Sequence, residues 1–408
     1  MTSLPSRRRR HTLMALAAGL VTAVVAPTLV YVGAKAISNS KAGINALADV
    51  VPEQAFPETP TAMLATVSDT NELTSLAVLV LAPDSDVTAG GYDQRGGSIV
   101  SVPINADTEF GDQVQSLHDA YAQGGEDALR VGLESAINLG IDFAAVMKRD
   151  EFASFFSGLP SMTIDLATDV LGPDDAVLYP KGSTELTIDQ VAEIITTKSP
   201  TQRERVRRTN IDALWAGIAT AVGKGRQGQT LSAAAPATFA EAATRLMAGP
   251  IASRGLVARA LDISRNPGGL DVEALDRPDT VLVFASIAPA EMARPGNGLS
   301  FRIEAPPGYD GQVRKTIAIL LASGGNVVSV DLSATAEAKT TLLIYDTDLA
   351  AAEPTDNTVF GRVTVKTPDV RLAGIDETIS LGTDYLKQVD LTAPDATSTS
   401  VEPTETTG

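Results

Sequence analysis

The first sustained hydrophobic stretch runs from Thr12 to Ala34 without a charged residue. As a helix rising about 1.5 Å per residue it is long enough for a bilayer core of about 30 Å. Arg7, Arg8, Arg9 and Arg10 precede it, and such basic flanks stay on the cytoplasmic side. The pattern predicts a cytoplasmic tail over 1–11, a transmembrane helix over 12–34 and an extracytoplasmic remainder, that is, a single-pass protein of the cell membrane. A cleaved signal peptide is the rival reading, because Ala34-Lys35-Ala36 is a small-x-small site. The apolar run is longer than the usual signal core, which favours the anchor. A polar, proline-punctuated segment follows over 35–72, with Pro52, Pro57 and Pro60, and reads as a stalk. At the other end, 391–408 is Thr, Ser, Pro, Asp and Glu with few apolar residues, and reads as a disordered tail.

Between stalk and tail the pattern predicts two α/β domains, over 73–290 and 298–388. Leu76-Ala-Val-Leu-Val-Leu-Ala is a continuous apolar run, as in a strand buried on both faces, and Ser98-Ile-Val-Ser-Val-Pro-Ile is a second strand. Helical spacing predicts helices over 128–138, stopped by Gly140, over 188–197, and over 201–222 with an inward stripe of Ile211, Leu214, Trp215, Ile218 and Val222. The Ala-rich segment 230–262 reads as helical, and Thr280-Val-Leu-Val-Phe-Ala as a closing strand. In the second domain, strands are predicted at Phe301–Ala305, Asn326–Val330, Thr341–Tyr345, Gly361–Val365 and Thr378–Leu381, with a helix over 311–323.

Charge and composition narrow the function. The formal balance is −18, and setting aside the four arginines of the tail takes it to −22. An acidic body of this kind repels nucleic acid, so no nucleic-acid partner is expected, and a phosphate ligand needs a local basic pocket. Two histidines, His11 and His118, exclude a histidine-rich metal centre, and the absence of cysteine excludes disulfides and thiolate sites. Asp84, Asp86 and Asp93 lie near glycines but lack EF-hand spacing. His118 beside Tyr121 reads as a packing or surface residue, and Asp142 and Asp384 as turn or cap residues. No Gly-x-Ser-x-Gly elbow supports a serine nucleophile.

The order of local motifs resembles the LytR–CpsA–Psr family of envelope glycopolymer transferases. The pieces are Ser101-Val-Pro103, Leu117-His-Asp-Ala-Tyr-Ala-Gln-Gly-Gly, and Ile137-Asn-Leu-Gly-Ile-Asp142. Farther on, the 311–325 helix and turn and Ile379-Ser-Leu-Gly-Thr-Asp384-Tyr resemble a LytR C-terminal domain. The resemblance covers roughly 72–388. It implies a layered α/β fold and transfer of a glycopolymer from a polyprenyl-pyrophosphate carrier to peptidoglycan. It also implies a magnesium ion held by carboxylates, with arginines on the phosphates.

At the positions that carry this chemistry in the family, the chain is degenerate. Thr74 stands for an Asp in the first strand, Ile104-Asn105 for an Arg-Asp pair, Thr196-Thr197-Lys198 for an Arg-x-Arg, and Gln202 for an Asp. Asp107 is the nearest acid that could substitute. Arg205 and Arg208 survive, and with Lys198 and Arg207 they are the candidate phosphate ligands. On helical spacing Arg207 and Arg208 flank the inward stripe, while Arg205 lies near its edge. One reading is a phosphate-binding mouth of guanidinium groups. The other is a solvated helix start with Glu204 paired to Arg208 at i,i+4. The basic residues oppose the helix dipole there, which hints at a use for them. No catalytic residue is assigned. Three functions stay open: a binding or accessory factor for polyprenyl phosphate or glycopolymer with impaired chemistry, an active transferase with magnesium and a rearranged site, and an envelope scaffold that recruits a protein partner without a ligand.

Overall fold

The computed structural model describes residues 52–83, 94–109, 114–225, 235–293, 298–389 and 391. The tail 1–11, the apolar run 12–34, the stalk as far as residue 51, the Asp84/Asp86/Asp93 cluster and residues 392–408 lie outside them. Among the described residues no helix is long and apolar enough to cross a membrane. The chain divides into two compact units. The smaller combines the chain up to Gln54 with 369–372, and its Glu53–Gln54 pairs in parallel with Arg371–Leu372. The larger unit, 55–368 and 373–408, is mixed α/β and holds two five-stranded sheets.

The first sheet is built from β1 (Thr61–Val67), β2 (Leu73–Leu81), β3 (Gly97–Ser101), β4 (Phe143–Met147) and a late strand described below. Every residue of β1 and β2 is buried, as the apolar run of β2 predicts. Residues 61–67 therefore correct the stalk: they form a strand of the sheet interior, pairing antiparallel with β2 and parallel with β4. Prolines at 57 and 60 suggested a spacer, but a proline just before a strand removes no ladder donor. Ala62-Met-Leu-Ala has the same two-sided apolar character as β2. Asp142 anchors the strand start by accepting from the Thr61 amide at 2.9 Å.

Helices α1 (Leu117–Ile137), α2 (Arg149–Phe155), α3 (Ile188–Thr196) and α4 (Glu204–Val222) surround this sheet, with a hairpin of β5 (Met162–Leu166) and β6 (Gly182–Leu186) between α2 and α3. Asn138, in the left-handed region at φ 56°, ends α1 before Gly140 is reached. The Ala-rich segment is helical only over α5 (Phe239–Met247). Gly249-Pro250 then breaks it, and β7 (Ile251–Gly255) and β8 (Ala258–Ala260) follow. Strand β7 completes the sheet order β7–β3–β2–β1–β4, while β8 pairs antiparallel with β9 (Glu273–Leu275).

The expected closing strand at 280–285 is instead helix α6 (Arg277–Ile287). A short, uninterrupted apolar run has no period to separate a strand from a helix buried all round. The flanks decide. Asp276 caps the helix by accepting from the Asp279 amide at 2.9 Å, and Pro278 fits the first turn, where no amide donor is needed. Helix α6 packs against α7 (Asp310–Ala322) and against the second sheet. That sheet runs β11 (Asn326–Asp331), β10 (Ser300–Glu304), β14 (Glu377–Ser380), β12 (Thr341–Ile344), β13 (Thr364–Lys366). Arg314 of α7 holds the Asp276 carboxylate with two hydrogen bonds, of 2.5 and 3.2 Å.

Two predictions follow from these contacts. Asp276→Ala removes a cap and one side of a bidentate ion pair together, and is expected to lower stability by about 2 kcal/mol in urea melts. Asp276→Asn, which keeps the cap, loses less. In β14, burial together with the nearby Glu353 pushes the Glu377 carboxyl up from 4.5 to about 7. Between those values the folded chain holds a proton that the unfolded chain has released, so stability falls as pH rises through the window. Glu377→Gln should therefore raise the Tm relative to wild type at pH about 8 and leave it unchanged at pH about 4.

Candidate functional site

The basic cluster opens α4, and the structure sorts its members by environment. Arg203 is the N-cap residue, and Arg203 and Arg205 are exposed. Arg207 is buried, with 4% of its surface exposed. Its Nε donates to the Thr197 carbonyl at 3.0 Å, Nη2 to the Ile195 carbonyl at 3.0 Å, and Nη1 to the Thr74 carbonyl. The two carbonyls from 195 and 197 close the C-terminal end of α3, where unpaired carbonyls and the negative end of the helix dipole favour a cation. Glu204 completes the shell at 3.4 Å, and burial pushes its carboxyl up against the pull of Arg207. The Glu204–Arg208 pair expected at i,i+4 is thus a Glu204–Arg207 pair at i,i+3.

Thr74 and the 196–198 segment, two of the degenerate positions, therefore meet at one side chain. That side chain is the chain's own guanidinium, engaged with main-chain carbonyls and Glu204. Arg207 is a buried strut between β2, α3 and α4. The Thr74 hydroxyl contacts the carbonyl and the hydroxyl of Thr66, each at 3.0 Å, and the Thr196 hydroxyl donates to the Ala192 carbonyl at 2.7 Å. Gln202 donates to the Asp169 carbonyl at 3.2 Å.

Arg208 pairs with Glu273 of β9 at 2.7 Å, both side chains largely buried. Glu273 reaches Arg208 through main-chain pairing with the degenerate Ile104-Asn105 segment. Its amide donates to the Asn105 carbonyl at 2.9 Å, and its carbonyl accepts from the Asp107 amide at 2.8 Å. One helical turn beyond Arg208, Asp212 bonds to the Ser101 hydroxyl; burial pushes its carboxyl up, more than Ser101 and Arg208 pull it down. Gly255 permits this approach, since a Cβ there would lie 2.6 Å from the Asp212 Oδ2. Asp107 is buried and paired with Arg265 at 2.8 Å. Ile104 belongs to the apolar core, and Asn105 is buried with neither side-chain polar atom partnered among the described residues.

The remaining cations line two separate cavities. Lys198 lines a cavity of about 530 Å³ with Thr196, Thr197, His118, Arg149 and Glu72. Arg203 and Arg205 line another, of about 420 Å³, with Ile263, Leu270 and Asp271. Lys198, Arg207 and Arg208 all pull on the Glu204 carboxylate, but they offer no shared open face: Lys198 and Arg205 line separate cavities, Arg207 is internal and Arg208 is paired with Glu273. The residues present also do not fit a divalent cation. Thr74 and Asn105 bring no carboxylate, Asp107 and Glu273 are matched by arginines, and no group of three or more acids or histidines able to hold a metal occurs among the described residues. Between the first sheet and its helices, Phe152, Phe156 and Trp215 pack with ring centroids 4.7 to 6.4 Å apart.

No protein-family model matches the sequence, and no curated protein matches it. Among solved structures the chain is similar to TagT bound to LIIa-WTA, at 12% identity over 55% of this chain and 88% of that one, with a TM-score of 0.39. It is similar to TagT of B. subtilis at 15% identity over 55% of this chain and 88% of that one, TM-score 0.37. A third is the LytR-CPS2A-psr family protein YwtF (TagT) with bound octaprenyl pyrophosphate lipid, at 13% identity over 55% and 86%, TM-score 0.36. The likeness is one of fold alone.

The two arginine environments predict opposite outcomes. Arg207→Ala leaves buried carbonyls and Glu204 without their cation and is expected to lower stability by about 3 kcal/mol or more. Arg205→Ala, at an exposed position, is expected to stay within about 0.5 kcal/mol. Urea denaturation of the two variants checks both.

Proposed function

We propose that this is a membrane-anchored cell-envelope protein of the LytR–CpsA–Psr type whose transfer chemistry is impaired, and that it acts as a binding or accessory factor for a polyprenyl-linked glycopolymer. The observation that carries the proposal is the internal neutralisation of the site. Cleaving a pyrophosphate linkage needs cations placed on the phosphate oxygens as charge develops, and loss of a single such donor lowers rate by about 100- to 1000-fold. Here Arg207 is held by carbonyls and Glu204, Arg208 by Glu273, and the nearest spare acid, Asp107, by Arg265. An incoming phosphate would have to displace a buried carboxylate to reach Arg208.

Binding is supported by the cations that keep no ion pair among the described residues. Lys198 and Arg205 each open on a cavity large enough for a phosphate-bearing headgroup. The apolar run 12–34 would hold such a site close to a lipid carrier.

The test is direct: full-length protein in micelles is mixed with octaprenyl pyrophosphate, with and without magnesium, and both binding and release of phosphate are followed. Saturable binding without magnesium-dependent release is expected, with about tenfold weaker binding for Lys198→Ala or Arg205→Ala. Magnesium-dependent release would show that pyrophosphate-cleaving chemistry is retained and overturn the impaired reading, and absence of binding would leave the scaffold reading.

A further inference from the structure

A cavity of about 620 Å³ lies at the far end of the first sheet from the basic cluster. Strand β2 contributes Val80 and Leu81 to it, whereas Thr74 is near the start of that strand, about 20 Å away at strand rise. The remaining walls come from the segment before β1, the start of β3, the end of α6, and β10 and β11. Its size is that of a small-molecule site.

Its polar groups are mostly hydroxyls. Thr59 is 2% exposed, and its Oγ1 has no hydrogen-bond partner among the described residues. That oxygen is itself shut off from solvent, so the hydroxyls offered to a ligand are those of the lining serines. Ser286 donates to the Val283 carbonyl at 2.7 Å, which leaves its oxygen free to accept. Ser98 and Ser329 add further hydroxyls to the lining.

The charged groups in the wall are already balanced. Arg302 lies between Glu304 at 2.9 Å and Asp331 at 3.1 Å, and the Asp331 carboxylate also accepts from the Ser333 hydroxyl at 2.6 Å. An anion would meet a guanidinium matched by two carboxylates, and a cation would meet a carboxylate matched by that guanidinium. Either gains little. The apolar walls are flat: the Phe56 ring with Pro57, Pro83 and Pro289. Flat apolar faces beside hydroxyls and a fixed Arg–Asp pair complement the C–H faces and hydroxyl edges of a sugar ring.

We infer that this cavity is a binding site for a neutral carbohydrate of one or two rings, separate from the basic cluster of α4. The site does not depend on whether that cluster binds phosphate.

Ligand-observed saturation-transfer NMR on the full chain tests it, in a phosphocholine detergent that carries no sugar. The probes are maltose, cellobiose, N,N′-diacetylchitobiose and, as a neutral peptide, trialanine. Transfer to at least one disaccharide is expected. Phe56→Ala should weaken it about fivefold, Ser98→Phe should abolish it by filling the cavity, and Lys198→Ala should leave it unchanged. Thermal melts confirm that each variant is folded. The inference is overturned by no transfer to any of the disaccharides, by transfer to trialanine alone, or by transfer that survives in folded forms of both cavity variants.

Discussion

A buried guanidinium joins the elements on which the rest of the first sheet's layer depends. Arg207 bonds to carbonyls from β2 and from the C-terminal end of α3, and it leaves α4 with its charge matched by Glu204. A buried cation is tolerable only when its donors are satisfied and its charge is answered. Arg207 meets that condition with groups from three separate elements, so its position fixes theirs. The same residue also stands where the degenerate Thr74 and 196–198 positions come together.

The neighbouring charges follow the same rule. Arg208 is answered by Glu273 and Arg265 by Asp107, while Arg254 pairs with Asp279 at the start of α6. Each pair gives a guanidinium a buried carboxylate partner. On a chain with net charge −18, acids are abundant enough to do this, and the structure uses buried ones. What stays open is Lys198 and Arg205 on separate cavities. Such an arrangement suits recognition of a polar headgroup better than stabilisation of a transition state, which needs several donors aimed at one group of oxygens.

How much of this was legible in the sequence depends on the range of the interaction. Strands β2 and β3 and helices α3 and α4 follow from apolar runs and helical stripes within their own segments. The strand at 61–67 was hidden by the prolines before it, and α6 by an apolar run without a period, although Asp276 and Pro278 were a readable start signal. The Ala-rich stretch looked helical throughout because alanine suits a helix, yet Gly249-Pro250 marked where it had to end. The site was less legible. Arg208 and Asp212 share a helix face at i,i+4, which spacing shows, but Glu273 lies 65 residues from Arg208, and Asp107 lies 158 from Arg265. No local pattern brings those acids to those arginines; the pairing of β9 with the 105–107 segment does. Helical spacing placed Arg207 and Arg208 only on the flanks of the inward stripe, and the buried carbonyls that receive Arg207 belong to other elements.

The central claim is that Arg207 and Arg208 are internal to the fold and Lys198 and Arg205 are not. Arginine side-chain ¹⁵N NMR on selectively labelled full-length protein tests it most directly, by following hydrogen exchange of each Nε–H during titration with octaprenyl pyrophosphate. The Arg207 Nε–H should exchange slowly and keep its resonance throughout, while the Arg205 resonance moves. Fast exchange at Arg207, or joint movement of the Arg207 and Arg208 resonances on addition of the lipid, would show an open arginine site and contradict the account.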